Sequence, residues 1–268
     1  MTPSQKGRAM SSTQRLLSNG LTNAKLSKLA DRIESSILYF AAGPSADEAD
    51  GRKGKARDVC PWKTVACYLS CLVTAGRGLC PNVVEARIKR TLMFLNERPA
   101  FIERVTYELE LLARRSLRKG YQAVCRLNGT SDIPWERVAP QWFESHPEIQ
   151  FYDYTKSPNR MREFLSQTRW PSNYHLTFSR SEEMPTSLIQ ELVALGGNVA
   201  VVFDVKREHS LPYTWHGMRV IDGDTSDWRF NDPEGVIVGL RAKGKAKQDT
   251  SGFVVSDYDR TYRVNYGR

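Results

Sequence analysis

From residue 121 onward the chain repeats one pattern: a short apolar run that ends in polar, chemically capable residues. "YQAVCRL" runs into "NGTSD" (128–132), "IQFYD" into "YTK" (154–156), and "YHLTF" into "SRSEE" (179–183). "NVAVVF" runs into "DVKRE" (204–208), "MRVI" into "DGDTSD" (222–227), and "GVIVGL" into "RAKGK" (241–245). Apolar runs of this length bounded by polar residues are consistent with buried strands. Helical spacing intervenes over 157–168 and 184–195. Alternating strands and helices predict a parallel sheet covered by helices. The polar residues fall just after each strand's carboxyl end, the edge that carries the site in β/α barrels and open α/β sheets.

The first half is less regular. Residues 1–20 read as a loose polar segment. A helix is expected over 23–34, where Leu26, Leu29, Ala30 and Ile33 share one face. "SSILYFAAG" (35–43) reads as a buried strand, and 44–58 as a polar loop. Two helices follow, over 82–95 and 99–118; the second opens at Pro99, stops at Gly120, and carries a core stripe of Phe101, Ile102, Val105, Leu109 and Leu112. With the early strand, about seven strands are expected. The fold class is therefore α/β: a complete or partial parallel (β/α) barrel with an N-terminal helical extension. Residues 21–268 form one domain with a cysteine loop at 58–80. A doubly wound open sheet is the runner-up. The first βα unit has neither a dinucleotide fingerprint nor a P-loop.

Charge points to partners. Net charge is +9, which favours an anionic small molecule or nucleic acid. "RAKGKAK" (241–247) is the clearest basic run, and a solvated loop is its plain alternative. No apolar stretch is long enough to span a bilayer, and the first twenty residues have no signal-peptide core. The expectation is a cytoplasmic protein with no membrane partner. Its oligomeric state is not legible.

Three of the five cysteines fall within "CPWKTVACYLSC", spaced Cys60-x6-Cys67-x3-Cys71. Reduced, clustered thiols are more often ligands than disulfide partners, with packing and redox roles as alternatives. Structural zinc usually takes four ligands in two close pairs. Here there is no CxxC pair; Cys80 is a possible fourth ligand, and Cys125 reads as core. Three thiolates suit a [4Fe–4S] cluster with one open iron, to which S-adenosylmethionine could bind. The cysteines follow the first expected strand, so they belong to the same rim as the polar motifs.

The other candidates are weighed on that rim. Asn128 and Gly129 favour a turn, and Asn128, Thr130, Ser131 and Asp132 fit a cofactor's ribose or amino-acid part, or a helix cap. Asp153, Ser179 and Arg180 complete the expected cofactor-binding set. An Arg180–Glu182 local ion pair is the plain alternative for "SRSE". Tyr154 and Lys156 are candidates for proton donation or phosphate contact, and Tyr152 for packing. His175, alone on a strand, reads as a core histidine. Asp222 ends a strand and is the preferred catalytic carboxylate; "DGDTSD" lacks the spacing and closing glutamate of an EF-hand.

The segments "VCPWKTVACYLSCLVTAGRG", "RLNGTSD", "FYDYTK", "YHLTFSRSE", "VIDGD" and "GVIVGLRAKGKAK" resemble those of the bacteriophage gene-product-eighty-eight family, in the same order over about 58–255. The resemblance implies a phage-encoded protein with a fold like radical S-adenosylmethionine barrels, acting in the host cytoplasm. It maps the family's cysteine segment onto Cys60, Cys67 and Cys71, and leaves Cys80 outside the pattern. The leading expectation is an iron–sulfur enzyme acting on a nucleotide or nucleic acid. The alternative is a non-enzymatic nucleic-acid-binding protein with structural zinc or no metal. A magnesium-dependent nuclease or replication protein using "DGDTSD" ranks third.

Overall fold

Each expected strand from 121 onward forms, and pairing with its neighbours decides the architecture. The structure, a computed structural model, describes residues 15–20, 32–54 and 56–258. The strands are β1 (Leu17–Asn19), β2 (Ile33–Leu38), β3 (Gln122–Arg126), β4 (Ile149–Thr155), β5 (Tyr174–Ser179), β6 (Val199–Phe203), β7 (Thr214–Trp215), β8 (Met218–Asp222), β9 (Ile237–Arg241) and β10 (Val254–Val255). The helices are α1 (Ser45–Ala49), α2 (Val65–Leu69), α3 (Pro81–Asn96), α4 (Arg98–Lys119), α5 (Trp135–Val138), α6 (Gln141–Ser145), α7 (Pro158–Ser166) and α8 (Thr186–Ala194).

All ten strands belong to one sheet, ordered β1-β2-β3-β4-β5-β6-β9-β8-β7, with β10 beside β6. Pairing from β2 through β6 to β9 and β8 is parallel, whereas β1 and β7 add antiparallel at the two ends. The fold is thus mixed α/β. The path ends at β1 and β7 without closing, which corrects the expectation of a complete parallel barrel. Of the N-terminal helix expected over 23–34, residues 23–31 lie outside the described residues. Ile33 and Glu34 open β2 instead, because their backbones pair with β3. The loose segment expected over 1–20 is described only from Arg15, and Leu17–Asn19 pair as β1.

From β2 to β6 the strands follow sequence order, so right-handed crossovers place the intervening helices on one face. That face holds the main core. Phe101, Val105, Leu109 and Leu112 of α4 pack there with Ala123, Cys125, Phe151, Leu176, Phe178 and Val201 of the strands. Helix α4 is bounded as its sequence predicts: Pro99 in the first turn, Gly120 left-handed at φ 63°, and Arg118 and Lys119 in the last turn. On the opposite face Ile37, Val124 and Tyr152 pack with Trp228, which comes from the β8–β9 connection. Among the described residues no helix is long and apolar enough to cross a membrane.

One detail of register shapes the site. β5 pairs only with Val199 and Ala200 of β6, and β10 takes up Val202 and Phe203. β9 runs along the whole of β6. The carboxyl ends of β5 and β6 therefore splay, and the returning chain fills the gap.

Candidate functional site

The cysteine loop is tied to the carboxyl rim of β2 to β5 at several points. The N–H of Asp132 donates to the Val59 carbonyl at 2.9 Å, and Cys60 Sγ lies 3.6 Å from the Thr130 carbonyl. Thr64 caps α2 by accepting from the Cys67 N–H at 3.2 Å. The same hydroxyl donates to Glu182 Oε2 at 2.9 Å, which joins α2 to the segment after β5. These contacts bring together Cys60, Cys67 and Cys71, which lie close enough that charge on Cys71 raises the pKa of both other thiols.

Burial pushes the Cys60 thiol up to about 12 and raises Cys67 and Cys71 as well. Backbone amides oppose this at two sulfurs: Gly43 at Cys60, and Val73 and Leu72 at Cys71. Two cations stand beside the thiols. Lys156 lowers the pKa of Cys67, and Arg87 that of Cys71. Arg87 lies over the Tyr39 ring at 5.2 Å, and its buried Nε and Nη1 have no hydrogen-bond partner among the described residues.

Lys156 is held firmly. Its Nζ donates to the Ser179 carbonyl (3.2 Å), Ser179 Oγ (3.0 Å) and the Arg180 carbonyl (3.0 Å), and lies 5.1 Å from the Phe253 ring centroid. Burial pulls its pKa down; Cys67, Asp132 and Glu182 pull it back. Arg180 donates to the carbonyls of Gly252 and Phe253, so it anchors the chain that fills the β5–β6 splay.

Asn128 and Asp153 are spent within the fold. The Asn128 side chain donates to the Ile133 carbonyl (2.9 Å) and Asp153 Oδ2 (3.2 Å), and accepts from Ser131 Oγ, the Ile133 N–H and Trp135 Nε1. Asp153 also accepts from the Asn128 N–H (2.6 Å) and Tyr174 Oη (2.8 Å). It is fully buried, which pushes its pKa up to about 7. Thr130 Oγ1 donates to the Phe40 carbonyl at 2.6 Å. These residues, Ser131 included, build the rim with their own polar atoms. Gly129 explains the tight crossing: a Cβ there would lie 2.6 Å from the Tyr39 ring and 2.8 Å from the Leu38 carbonyl oxygen.

Two residues expected to be catalytic sit elsewhere. Tyr154 stacks with Arg126 at 4.7 Å and is raised to about 12 by burial. Strand alternation turns it away from the helix-covered face. Asp222 lies on β8, beyond β9 from β6, and both its oxygens accept from Arg241 Nη1 at 2.9 Å. Asp224 binds Arg241 and Lys243. Asp222 and Asp224 of "DGDTSD" and the first cations of "RAKGKAK" thus neutralise each other, while Asp227 Oδ2 lies 3.6 Å from Arg126 Nη1. Arg180, expected to bind a cofactor with a local Arg180–Glu182 ion pair as the plain alternative, reaches Gly252 and Phe253, and Glu182 reaches Thr64.

Arg87 was not among the expected site residues, whereas Asp132 was weighed with Thr130 and Ser131. Asp132 accepts from the Lys156 N–H (2.8 Å) and Arg160 Nη1 (2.8 Å), and Arg160 also holds Glu136. Asp132 stood in the quoted "NGTSD"; Arg87, inside α3, had no local signal. A cavity of about 450 Å³ lies away from this rim, between β1, β2 and α4. Its Glu108 is already taken by Arg104 and by the N–H groups of Leu16 and Leu17.

Among the described residues no group of three or more His, Cys, Asp or Glu side chains forms a ready-made metal site. The three thiols, with backbone amides at two of the sulfurs and two adjacent cations, nevertheless share this rim. The fold and rim define a class, a mixed α/β protein with a three-thiol loop at the carboxyl edge of its parallel strands. The chain belongs to the Gene product 88 family, whose sequence profile matches residues 12–257. No curated protein and no solved structure matches it.

Proposed function

We propose that the chain is an iron–sulfur protein in which Cys60, Cys67 and Cys71 hold a [4Fe–4S] cluster. We further propose that it is a radical S-adenosylmethionine-type enzyme acting on a nucleotide or nucleic acid. The carrying observation is the convergence of three thiols at one rim, with backbone amides aimed at Cys60 and Cys71. Hydrogen bonds to sulfur and local charge tune such clusters. When bound, the cluster would supply one-electron reduction to a ligand on its open iron. The chain's own part is positioning. Lys156 and Arg87 offset the negative charge of thiolates. Arg87 has N–H groups left for an anionic group of the cofactor or substrate, while Lys156 is braced by Ser179 and Arg180. Asn128, Thr130, Ser131 and Asp153 keep that rim in shape.

Anaerobic reconstitution with iron and sulfide tests the reading. It expects iron and sulfide in equal amounts, about four of each per chain, and their loss in Cys67→Ala. Zinc without labile sulfide would overturn it in favour of the nucleic-acid-binding alternative. Lys245 and Lys247, exposed and without an ion-pair partner among the described residues, favour that alternative, and steeply salt-dependent DNA binding would accompany it.

A further inference from the structure

Helix α4 carries a second stripe beside the one that packs on the sheet. Arg104, Glu108, Leu111, Arg115 and Lys119 follow one another at spacings of four, three, four and four residues, so they share one side of the helix. This side faces β1 and β2 and forms with them the cavity of about 450 Å³. Small-molecule sites have volumes of this order.

Two clamps hold the helix and the strands together across the cavity. Glu108 accepts from Arg104 Nε (2.9 Å) and from the N–H groups of Leu16 (3.0 Å) and Leu17 (2.7 Å), which ties the start of β1 to α4. Lys119 pairs with the buried Glu34 of β2. Eleven residues of helix, ~16 Å, separate Glu108 from Lys119. Leu17 and Leu111 give the cavity apolar walls, and Tyr107, 51% exposed, stands at its mouth.

The charge inside is unbalanced. The described lining includes four cations, Arg15, Arg104, Arg115 and Lys119, against two carboxylates, Glu34 and Glu108. The clamps use both carboxylates and two of the cations, Arg104 and Lys119. Arg15 and Arg115 have no ion-pair partner among the described residues. Arg15 is nevertheless held in place, because Arg90 donates to its carbonyl from Nη2 (3.3 Å) and Nε (3.4 Å).

The geometry points to a binding site for a phosphate monoester carried on an apolar or aromatic body. Such an ester bears about two negative charges near pH 7, which the two unmatched guanidiniums balance. A guanidinium fork meets phosphate oxygens in pairs, so two arginines suit this group better than a single charge would. The organic part of the ester faces Leu17, Leu111 and Tyr107. The site lies at the β1 end of the sheet, away from the cysteine rim, and does not depend on the iron–sulfur reading.

Isothermal titration calorimetry of the full, metal-free chain tests this with adenosine 5′-monophosphate, adenosine and inorganic phosphate. The monophosphate is expected to bind about tenfold or more tightly than either of the other probes. Arg15→Gln and Arg115→Gln should each weaken it by about tenfold or more, since each removes a charged partner of the phosphate. Their urea midpoints should match the wild type, because neither change breaks an ion pair among the described residues. Leu111→Trp fills the cavity and should abolish binding with no change of charge. K245Q/K247Q alters the basic segment elsewhere and should bind as the wild type does. Absence of binding, equal binding of adenosine or of inorganic phosphate, or full binding by both arginine variants would overturn the site. An equal loss in K245Q/K247Q would also overturn it, as the mark of general attraction to a basic surface. None of these readouts involves iron or sulfide, so failure of this site leaves the reading of the cysteines standing.

Discussion

Asn128→Ala separates a residue that holds the rim from one that waits for a ligand. The wild-type side chain serves five partners, and four of them belong to buried residues: the Ile133 N–H, the Ile133 carbonyl, Trp135 Nε1 and Asp153 Oδ2. Alanine orphans the Ile133 N–H and Trp135 Nε1, whereas the Ile133 carbonyl keeps the Trp135 N–H at 2.9 Å. Each orphaned buried group costs about 1–3 kcal/mol. Allowing for some relaxation, the sum is about 2–5 kcal/mol, a large share of the ~5–15 kcal/mol typical of a domain. Asp153 is less affected, since it keeps the Asn128 N–H and Tyr174. Urea unfolding of the metal-free chain, followed by tryptophan fluorescence, measures the loss directly. If Asn128 served mainly to bind a cofactor, the metal-free variant would keep nearly its full stability. A loss below about 1 kcal/mol would refute the rim-holding role.

Gly129→Ala should cost about 1–3 kcal/mol, because the new methyl meets the Tyr39 ring and a backbone oxygen at under 3 Å; unchanged urea stability would contradict this close crossing. His175 is held down at about 4 by burial, with Arg229 adding to the effect. A depressed folded pKa gives stability that is full above the unfolded value near 6.5 and is lost as pH falls through 4, about 3 kcal/mol in all. The unfolding free-energy difference between wild type and His175→Gln should therefore shrink over that window, and a flat difference would refute the burial argument.

Much of the sheet was legible because its strands carry their own signal. Apolar runs such as "NVAVVF" need cover on both faces; the helices between them supply it on one, and the chain around Trp228, Ala246 and Val254 on the other. Pro99 and Gly120 bounded α4 to within a residue, since both act through local backbone geometry. The failures lie where pairing alone makes the element. Ile33 completes a helical face with Leu26 and Leu29, yet its backbone joins β3. β7 and β10 are two residues each and exist only through neighbours distant in sequence. Closure was illegible for a related reason: barrel and open sheet share the same strand–helix alternation, and only the antiparallel β1 and β7 at the ends distinguish this one.

The rim shows why polar motifs after strands could be located but not assigned. Asn128 and Asp153 have the chemistry of ligand-binding residues, but their hydrogen bonds run to the chain itself. Asp222 looked free because Arg241, the cation that takes its carboxylate, lies 19 residues away. Lys156 kept its place beside Cys67 because it directly follows β4, where the strand end fixes the position of what comes next. Arg87 is the reverse case. It sits inside an ordinary helical stretch, and only the packing of α3 against the cysteine loop brings it to Cys71. Its buried Nε and Nη1 remain without partners among the described residues. Buried donors are rarely left so, so the accounting of hydrogen bonds directs attention to a residue that no sequence motif marks. It also directs attention to the space between Arg87 and the three thiols as the place where an anionic group would complete the rim.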